Sequence, residues 1–293
     1  MPGAPLLEPA FVRELELLRR NLELRVRSGG PGDHLARRRG GSAEFHEHRP
    51  YTAGDDLRRI DWAAYARSGE PVLKVFRAEE DVLARLLCDT SGSLEFGEPK
   101  KLDVAKRLAA ALGYMTLAAS ERAQVVVAAP EGARELPPAR GRQGLAGLLR
   151  HLEGLSASGT TDLARSLDAV VARSKRPGVL AVFSDFFDAG PWFAALSRAV
   201  AAGHEVRLVQ VLSKEDVTPS FEGDVALEDA ETGDLVELVT DAATLDAYAR
   251  RLAGLCSELR AWARRHGAGY VFTRSDEPLE PVVRRIVARA IDA

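Results

Sequence analysis

The chain has 293 residues, 46% hydrophobic and 28% charged, with a formal net charge of −3. It is long enough for one large domain or two ordinary ones with a buried core, and this composition excludes wholesale disorder. The near-neutral charge sets up no global field toward nucleic acid or an anionic membrane. No apolar run approaches the ~20 residues of a spanning helix, and residues 1–9 lack the basic start and apolar stretch of a signal peptide, so no membrane anchor is expected.

Pro9 to Arg27 reads as an amphipathic helix with Phe11, Leu15, Leu18 and Leu22 on one face. Ser28 to Ser42 is a Gly-rich, basic loop; its Arg37, Arg38 and Arg39 lack interleaved aromatics and read as solvated, not as a nucleic-acid contact. Glu44 to Tyr51 and Gly54 to Trp62 form a dense polar block with no clear period. Its Asp55, Asp61, Arg49 and Arg58 are expected to form a buried ion-paired plug docking this segment on the rest of the chain. Glu44, His46 and His48 alternate and would share one strand face, read as solvated in preference to a zinc site.

From position 81 the pattern changes. Strands are expected at Val82–Cys88, Val125–Ala129, Val179–Phe183, Val206–Leu212 and Tyr270–Phe272. Helices are expected at Lys100–Ala119, Thr161–Ser174, Pro191–Ala202 and Asp241–His266. In the last helix Leu245, Tyr248, Leu252, Leu255, Leu259 and Trp262 make a clean stripe. Asp224 to Val239 reads as a hairpin turning at Thr232-Gly233-Asp234. Short apolar strands alternating with helices give an α/β fold, a doubly wound, mostly parallel sheet covered on both faces. The division expected is residues 1–80, an N-terminal helix and polar segment, and 81–293, the main domain. His34, His151, His204 and His266 read as surface residues, and Trp62, Trp192 and Trp262 as core or docking aromatics. Cys88 and Cys256 stand far apart, which excludes a disulfide framework and fits a reducing cytoplasm.

The chemistry gathers in Asp89-Thr90-Ser91-Gly92-Ser93, directly after a buried strand. In an open parallel sheet the loops at the carboxyl ends of the strands form the binding crevice. Gly159-Thr160-Thr161-Asp162, opening a helix, and Phe183-Ser184-Asp185, closing a strand, would reach the same crevice. Asp89, Ser91, Ser93, Thr161 and Asp185 then offer two carboxylates and three neutral hydroxyls. Magnesium takes six oxygens and keeps several waters, so such a set leaves an open position on an ion only partly neutralised. That position should capture a carboxylate from outside.

Asp89-x-Ser91-x-Ser93, Thr161 and Asp185 resemble the metal-ion-dependent adhesion site of von Willebrand factor A domains. Thr161, not Thr160, matches the family threonine, because Thr161-Asp162-Leu163 runs on to Ser166-Leu167 in the family's spacing. The resemblance implies a von Willebrand factor A-like, Rossmann-type fold and a bound Mg2+, with Mn2+ or Ca2+ as substitutes. One departure is Phe186, where many A domains carry glycine after the aspartate. Upstream, Gly40-Gly41-Ser42-Ala43-Glu44-Phe45, Arg49-x-Tyr51, Gly54-Asp55-Asp56-x-Arg58-x-Ile60-Asp61-Trp62, Ala66-Arg67 and Glu79-x-Asp81 resemble the bacterial family called domain of unknown function 58. The Glu231-Thr232-Gly233 turn adds a weaker echo. That resemblance implies a non-enzymatic partner of MoxR-type AAA+ ATPases, contributing to a contact in which the partner's acidic residue meets the metal.

The rival reading is a phosphatase of the haloacid dehalogenase type, with Asp89 as nucleophile, Lys175 as the phosphate-binding lysine, and Asp185 and Asp188 as distal carboxylates. It fails at Ser91, whose hydroxyl cannot replace the carboxylic general acid. A serine hydrolase is weaker still, since Ser91 lacks the Gly-x-Ser-x-Gly elbow.

Overall fold

A computed structural model describes residues 5–21, 43–52, 55–78, 82–188, 190–219 and 223–288. The chain divides into two compact units, one made of Met1–Ser28 with Val82–Ala293 and the other of Gly29–Asp81. This differs from the expected break at residue 80. The N-terminal helix goes with the main body because its apolar stripe is used there, and the polar segment stands as a unit of its own.

In chain order the described elements are α1 (Pro9–Asn21), β1 (Ala43–Pro50), α2 (Trp62–Ser68), β2 (Val72–Ala78), β3 (Leu83–Cys88) and α3 (Lys101–Ala118). There follow β4 (Arg122–Ala129), β5 (Gly132–Glu135), β6 (Ala139–Arg140), α4 (Leu145–Glu153), α5 (Leu163–Arg173), β7 (Val179–Ser184) and α6 (Trp192–Ala201). The chain then continues through β8 (Glu205–Leu212), α7 (Lys214–Val217), β9 (Gly223–Glu228), β10 (Leu235–Thr240), α8 (Ala242–His266), β11 (Gly269–Arg274) and α9 (Leu279–Val287).

The central sheet runs β11-β8-β7-β3-β4-β5, with β6 also paired to β4. All its pairs are parallel except those of β5 and β6 with β4. The expected doubly wound, mostly parallel sheet is the one observed. The order reverses at β3, where the first two parallel strands extend to one side and the later ones to the other. The crevice at such a switch point opens beyond the carboxyl ends of the strands.

Side-chain alternation along each strand sorts residues onto two faces. Leu86 and Cys88 of β3, with Ala181 and Phe183 of β7, join the core beneath α3, α4, α9 and α1. Leu87, Leu180 and Val182 join the opposite core beneath α5, α6 and the end of α8. Helices thus cover both faces of the sheet, which explains why its strands read as continuous apolar runs.

Phe11, Leu15 and Leu18 of α1 lie in the first core, with Leu15 fully buried, and Tyr114 Oη donates to Glu16 Oε1 at 2.8 Å. The expected continuation of this helix to Arg27, Leu22 included, and the Ser28–Ser42 stretch lie outside the described residues, except that its neighbour Ala43 opens β1. Along α8 the stripe is deepest at its end, where Leu259 and Trp262 are buried, while Leu245, Tyr248, Leu252 and Leu255 are half-buried.

Within the second unit β1 pairs antiparallel with β2, with a register shift between Phe45 and Glu47 that breaks the alternation expected across His46. Asp61 caps α2 by accepting from Ala63 N and Ala64 N, and Gly69 ends the helix at φ +74°. His48 Nε2 lies 2.9 Å from Asp61 Oδ2. The expected buried network of Arg49, Asp55, Arg58 and Asp61 is corrected on this point. Arg49 and Asp55 form an exposed bidentate pair, Arg58 is exposed, and only Asp61 is buried. Polar residues at a turn satisfy one another locally, so they need no burial. Trp62 is also corrected: it is 61% exposed, whereas Trp192 and Trp262 are buried.

If α1 is integral to the main body, truncating its fully buried leucine removes transfer energy and leaves a cavity. Leu15→Ala should cost about 2–5 kcal/mol, read as a lower midpoint in urea unfolding. An unchanged midpoint would mean that α1 lies on the surface and does not help hold the fold.

Candidate functional site

Three chain segments meet at the carboxyl edge of β3 and β7. Asp89 leaves β3 with its N–H bonded to Phe183 O, and Gly92 N donates to Gly159 O at 2.8 Å, so the first and second segments are tied through backbone. Ser158 N donates to Thr90 O at 3.0 Å in the return direction. The side chains then converge on one carboxylate. Asp89 Oδ1 accepts from Ser91 N at 2.9 Å and Thr161 Oγ1 at 3.0 Å, and Oδ2 accepts from Ser184 Oγ at 2.6 Å. Ser91 Oγ and Ser93 Oγ lie 3.0 Å apart. Asp89, Ser91, Ser93, Thr161 and Asp185 are thus brought together, and it is the hydroxyl of Thr161 that reaches Asp89.

Asp89, Ser91, Ser184 and Asp185 are all buried. Burial, followed by the charge of Asp185, pushes the Asp89 carboxyl above its ordinary range, against the opposing bonds from Ser184 and Ser91. The field extends further: burial, then Asp216 and Asp185, push the Tyr248 phenol up to about 12. Among the described residues no cluster of three or more His, Cys, Asp or Glu side chains is arranged to hold a metal. Any cation here would therefore rely on hydroxyls as well as the two carboxylates.

Lys101, in the first turn of α3, was not legible as a site residue. Its Nζ lies 2.9 Å from Asp185 Oδ2 and 2.9 Å from Asp216 Oδ2, and 5.1 Å from the centre of the Phe187 ring. Burial alone would push this ammonium down, but Asp185 and Asp216 together lift it above its ordinary value. Asp216 is placed by a capping box in which Ser213 Oγ accepts from Asp216 N and Asp216 Oδ2 accepts from Ser213 N. The Ser213-x-x-Asp216 spacing after an apolar strand was the one available signal for this partner. Lys101 beside Lys100 at a helix start reads as a solvated pair, so nothing in the sequence marks it.

The loop after Asp185 explains the missing glycine. Phe186 adopts φ +61°, the left-handed conformation that glycine occupies without strain. Its ring is 1% exposed and packs on Trp192 at 5.4 Å between centroids, and Ser184 Oγ accepts from its N–H at 2.9 Å. A strain of about 1–2 kcal/mol is offset by burying a phenylalanine, worth about 1.5–3 kcal/mol. The loop shape is kept with a different residue. Asp185 Oδ1 accepts from Phe187 N and its Oδ2 from Lys101 Nζ, so the carboxylate is fixed from both sides, while Gln210 Nε2 holds the backbone carbonyl of Asp185.

The parts of the phosphatase reading do not assemble. Lys175 is exposed beyond the C-terminus of α5, at the amino edge of the sheet and away from Asp89. Asp188 is committed to Leu163 N and Gly190 N. Both oxygens of Asp89 accept hydroxyl donors, so neither is presented as a free nucleophile. The histidine expectation is corrected at two positions. His204 is buried and bonded by Gly178 N, and His266 stacks on Trp262.

The Lys101 bridge gives a sharp stability test. Removing one partner of a buried ionic group strands the others and costs about 3–5 kcal/mol. Lys101→Met should show that loss in chemical denaturation. Arg198→Ala, which breaks the exposed and solvent-screened pair with Asp168, should leave the unfolding midpoint nearly unchanged. Equal, small effects would contradict the burial of the bridge.

The family model described as protein of unknown function DUF58 matches residues 47–254. The uncharacterized protein Rv1480 of Mycobacterium tuberculosis is 32% identical over 288 residues, covering 96% of this chain and 90% of that protein. Among solved structures, the conserved hypothetical protein BatB from Bacteroides thetaiotaomicron is 17% identical. It covers 71% of this chain and 98% of its own, with a TM-score of 0.46. A von Willebrand factor type A protein from Catenulispora acidiphila is 19% identical over 73% of this chain and 43% of its own, with a TM-score of 0.41. Among the described residues no helix is long and apolar enough to cross a membrane. This chain, an α/β protein built on a mostly parallel sheet, belongs to the DUF58 family of proteins of unknown function.

Proposed function

We propose that the chain is a metal-dependent protein–protein interaction module and not an enzyme. The observation that carries this reading is the convergence of Asp89, Ser91, Ser93, Thr161 and Asp185 at the carboxyl edge of the sheet. The donor set fits a hard divalent cation such as Mg2+, which prefers carboxylate, hydroxyl and water oxygens. It fits electrostatically too: among the described residues the ammonium bonded within the set is Lys101, which faces Asp185 and Asp216, and Asp89 has no cation of its own. When bound, the cation supplies an electrophilic position that takes up an outside carboxylate.

The chain's own residues set the strength of that position. The three hydroxyls of Ser91, Ser93 and Thr161 add no charge, and Lys101 offsets part of the charge on Asp185, so the site stays short of neutrality. Ser184 and Thr161 hold Asp89 in place, which limits its direct use as a ligand and leaves room for water between. The partner is expected to present a Glu or Asp. The resemblance to the domain of unknown function 58 family points to a MoxR-type AAA+ ATPase as that partner. Two free cysteines, one fully buried, suit a reducing compartment, and we place the module in the cytoplasm.

The test is a thermal-stability titration with MgCl2 and MnCl2, followed by binding to a purified MoxR-type AAA+ ATPase with and without chelator. A ligand that binds only the folded state at one hundred times its Kd stabilises by about 2.7 kcal/mol. Wild type should gain stability on this scale and bind the ATPase only with metal. Thr161→Ala, which removes a neutral ligand and one hydrogen bond to Asp89, should lose most of the gain and lower the metal-free stability by about 1.5–3 kcal/mol. Stability and binding indifferent to metal would overturn the reading. Magnesium-dependent hydrolysis of a phosphate ester, abolished by Asp89→Asn, would revive the phosphatase.

A further inference from the structure

Among the described residues of the main unit, the strands of the β9–β10 hairpin join no larger sheet, and its tip reaches the candidate site. A Cβ placed on Gly92, between Ser91 and Ser93, would collide with the Ala230 carbonyl. The tip therefore seats backbone to backbone on the ligand loop, at a position where only glycine leaves room.

The tip is built to hold its shape. Asp229 Oδ1 accepts from Glu231 N at 2.8 Å and Thr232 N at 3.2 Å, Gly233 N donates to Asp229 O, and Asp229 N donates to Asp234 O. Gly233 takes φ +78°, and Thr232 Oγ1 donates to Asp234 Oδ2. The residue after Ala230 is Glu231, which is half-buried. Burial, then the charges of Asp89 and Asp185, raise its carboxyl above the ordinary range. Among the described residues no donor holds that carboxylate. A half-buried carboxylate beside the ligand loop, with no protein donor among the described residues, is able to turn toward a cation placed there.

We propose that Glu231, which is not gathered with Asp89 and Asp185 into a ligand cluster in the metal-free chain, turns in as an internal ligand of the same site once a cation is bound, filling its open position when no partner is present, so that a partner's carboxylate must displace the hairpin tip. This rests on the metal-binding reading above and deepens it into a form of regulation. The hairpin then competes with partners, and apparent partner affinity falls by the fraction of molecules in which the tip is seated. Seating does not require a rearranged sheet, because the tip is braced by its own bonds and meets the ligand loop through the backbone of Ala230 and Glu231 at Gly92.

The experiment is a Mn2+ titration of the full chain, read by electron paramagnetic resonance for affinity and by water-proton relaxation for the number of waters on the bound ion. Four proteins are compared: wild type, Thr161→Ala, Glu231→Gln, and Glu228→Gln as a control that removes an exposed hairpin charge. Glu231→Gln should weaken Mn2+ by about tenfold or more, since even outer-sphere partners contribute about 10–100-fold. It should also raise the relaxivity of the bound ion, as water enters the vacated position. Glu228→Gln should do neither. In hydrogen exchange, Mn2+ should protect the amides of Asp229–Asp234 in wild type and not in Glu231→Gln. If Thr161→Ala loses affinity while Glu231→Gln matches Glu228→Gln in affinity and relaxivity, the internal ligand is overturned and the metal site stands. If wild type binds no Mn2+, both fall.

Discussion

The buried carboxylate of Asp89 is the point on which the site depends. It receives a backbone N–H from its own loop, a hydroxyl from the loop before α5 and a hydroxyl from the end of β7. Three segments far apart in sequence are registered against one another by that group. A carboxylate this deep is costly unless hydrogen-bonded and charge-compensated, and the structure supplies the bonds in full but the compensation only in part. Lys101 is committed to Asp185 and Asp216. The remaining deficit is what gives a divalent cation its place in the account, and it also explains why the surrounding donors are hydroxyls. Further carboxylates would deepen the repulsion and, once a cation was bound, neutralise the electrophilic character that a partner would use.

The sheet makes this arrangement possible. Because the order reverses at β3, the loops after β3 and β7 leave neighbouring parallel strands at the same edge, and α5 begins beside them. The backbone bonds from Asp89 to Phe183 and from Gly92 to Gly159 hold these loops before any side chain is considered. Phe186 shows how firmly the loop shape is imposed, since a buried aromatic is held in a conformation suited to glycine. Burial of its ring offsets the backbone strain, which is how a bulky residue can replace a glycine without changing the path of the chain.

Much of this was legible in the sequence, for physical reasons. The strands that carry the site are short, apolar on both faces and followed at once by polar residues, so their existence and the position of Asp89 could be read from pattern alone. Thr161 and Asp185 could be read because each sits where an element begins or ends. Lys101 could not, because a lysine at a helix start looks solvated until the fold buries it against Asp185. The edge strand Gly132–Glu135 and the helix Leu279–Val287 were also missed. The former is only four residues long, and the latter follows closely on a strand and carries Pro281 in its first turn, which blurs its start. In the second unit, polar residues of Arg49 and Asp55 suggested a buried network, yet they pair at the surface. Composition shows that charges can pair and does not show whether water is excluded from the pair. The hairpin turn was visible at Thr232-Gly233-Asp234, but its seating on Gly92 depends on tertiary approach that no local pattern encodes.

The central claim is that these five residues hold a cation at the carboxyl edge of the sheet. A crystal grown with MnCl2, with diffraction recorded near the manganese absorption edge, tests it most directly. The account predicts an anomalous peak within coordinating reach of Ser91, Ser93 and Thr161, with Asp89 and Asp185 bound directly or through water. Full-occupancy manganese bound elsewhere, with this cluster of side chains unchanged and filled only by water, would contradict it.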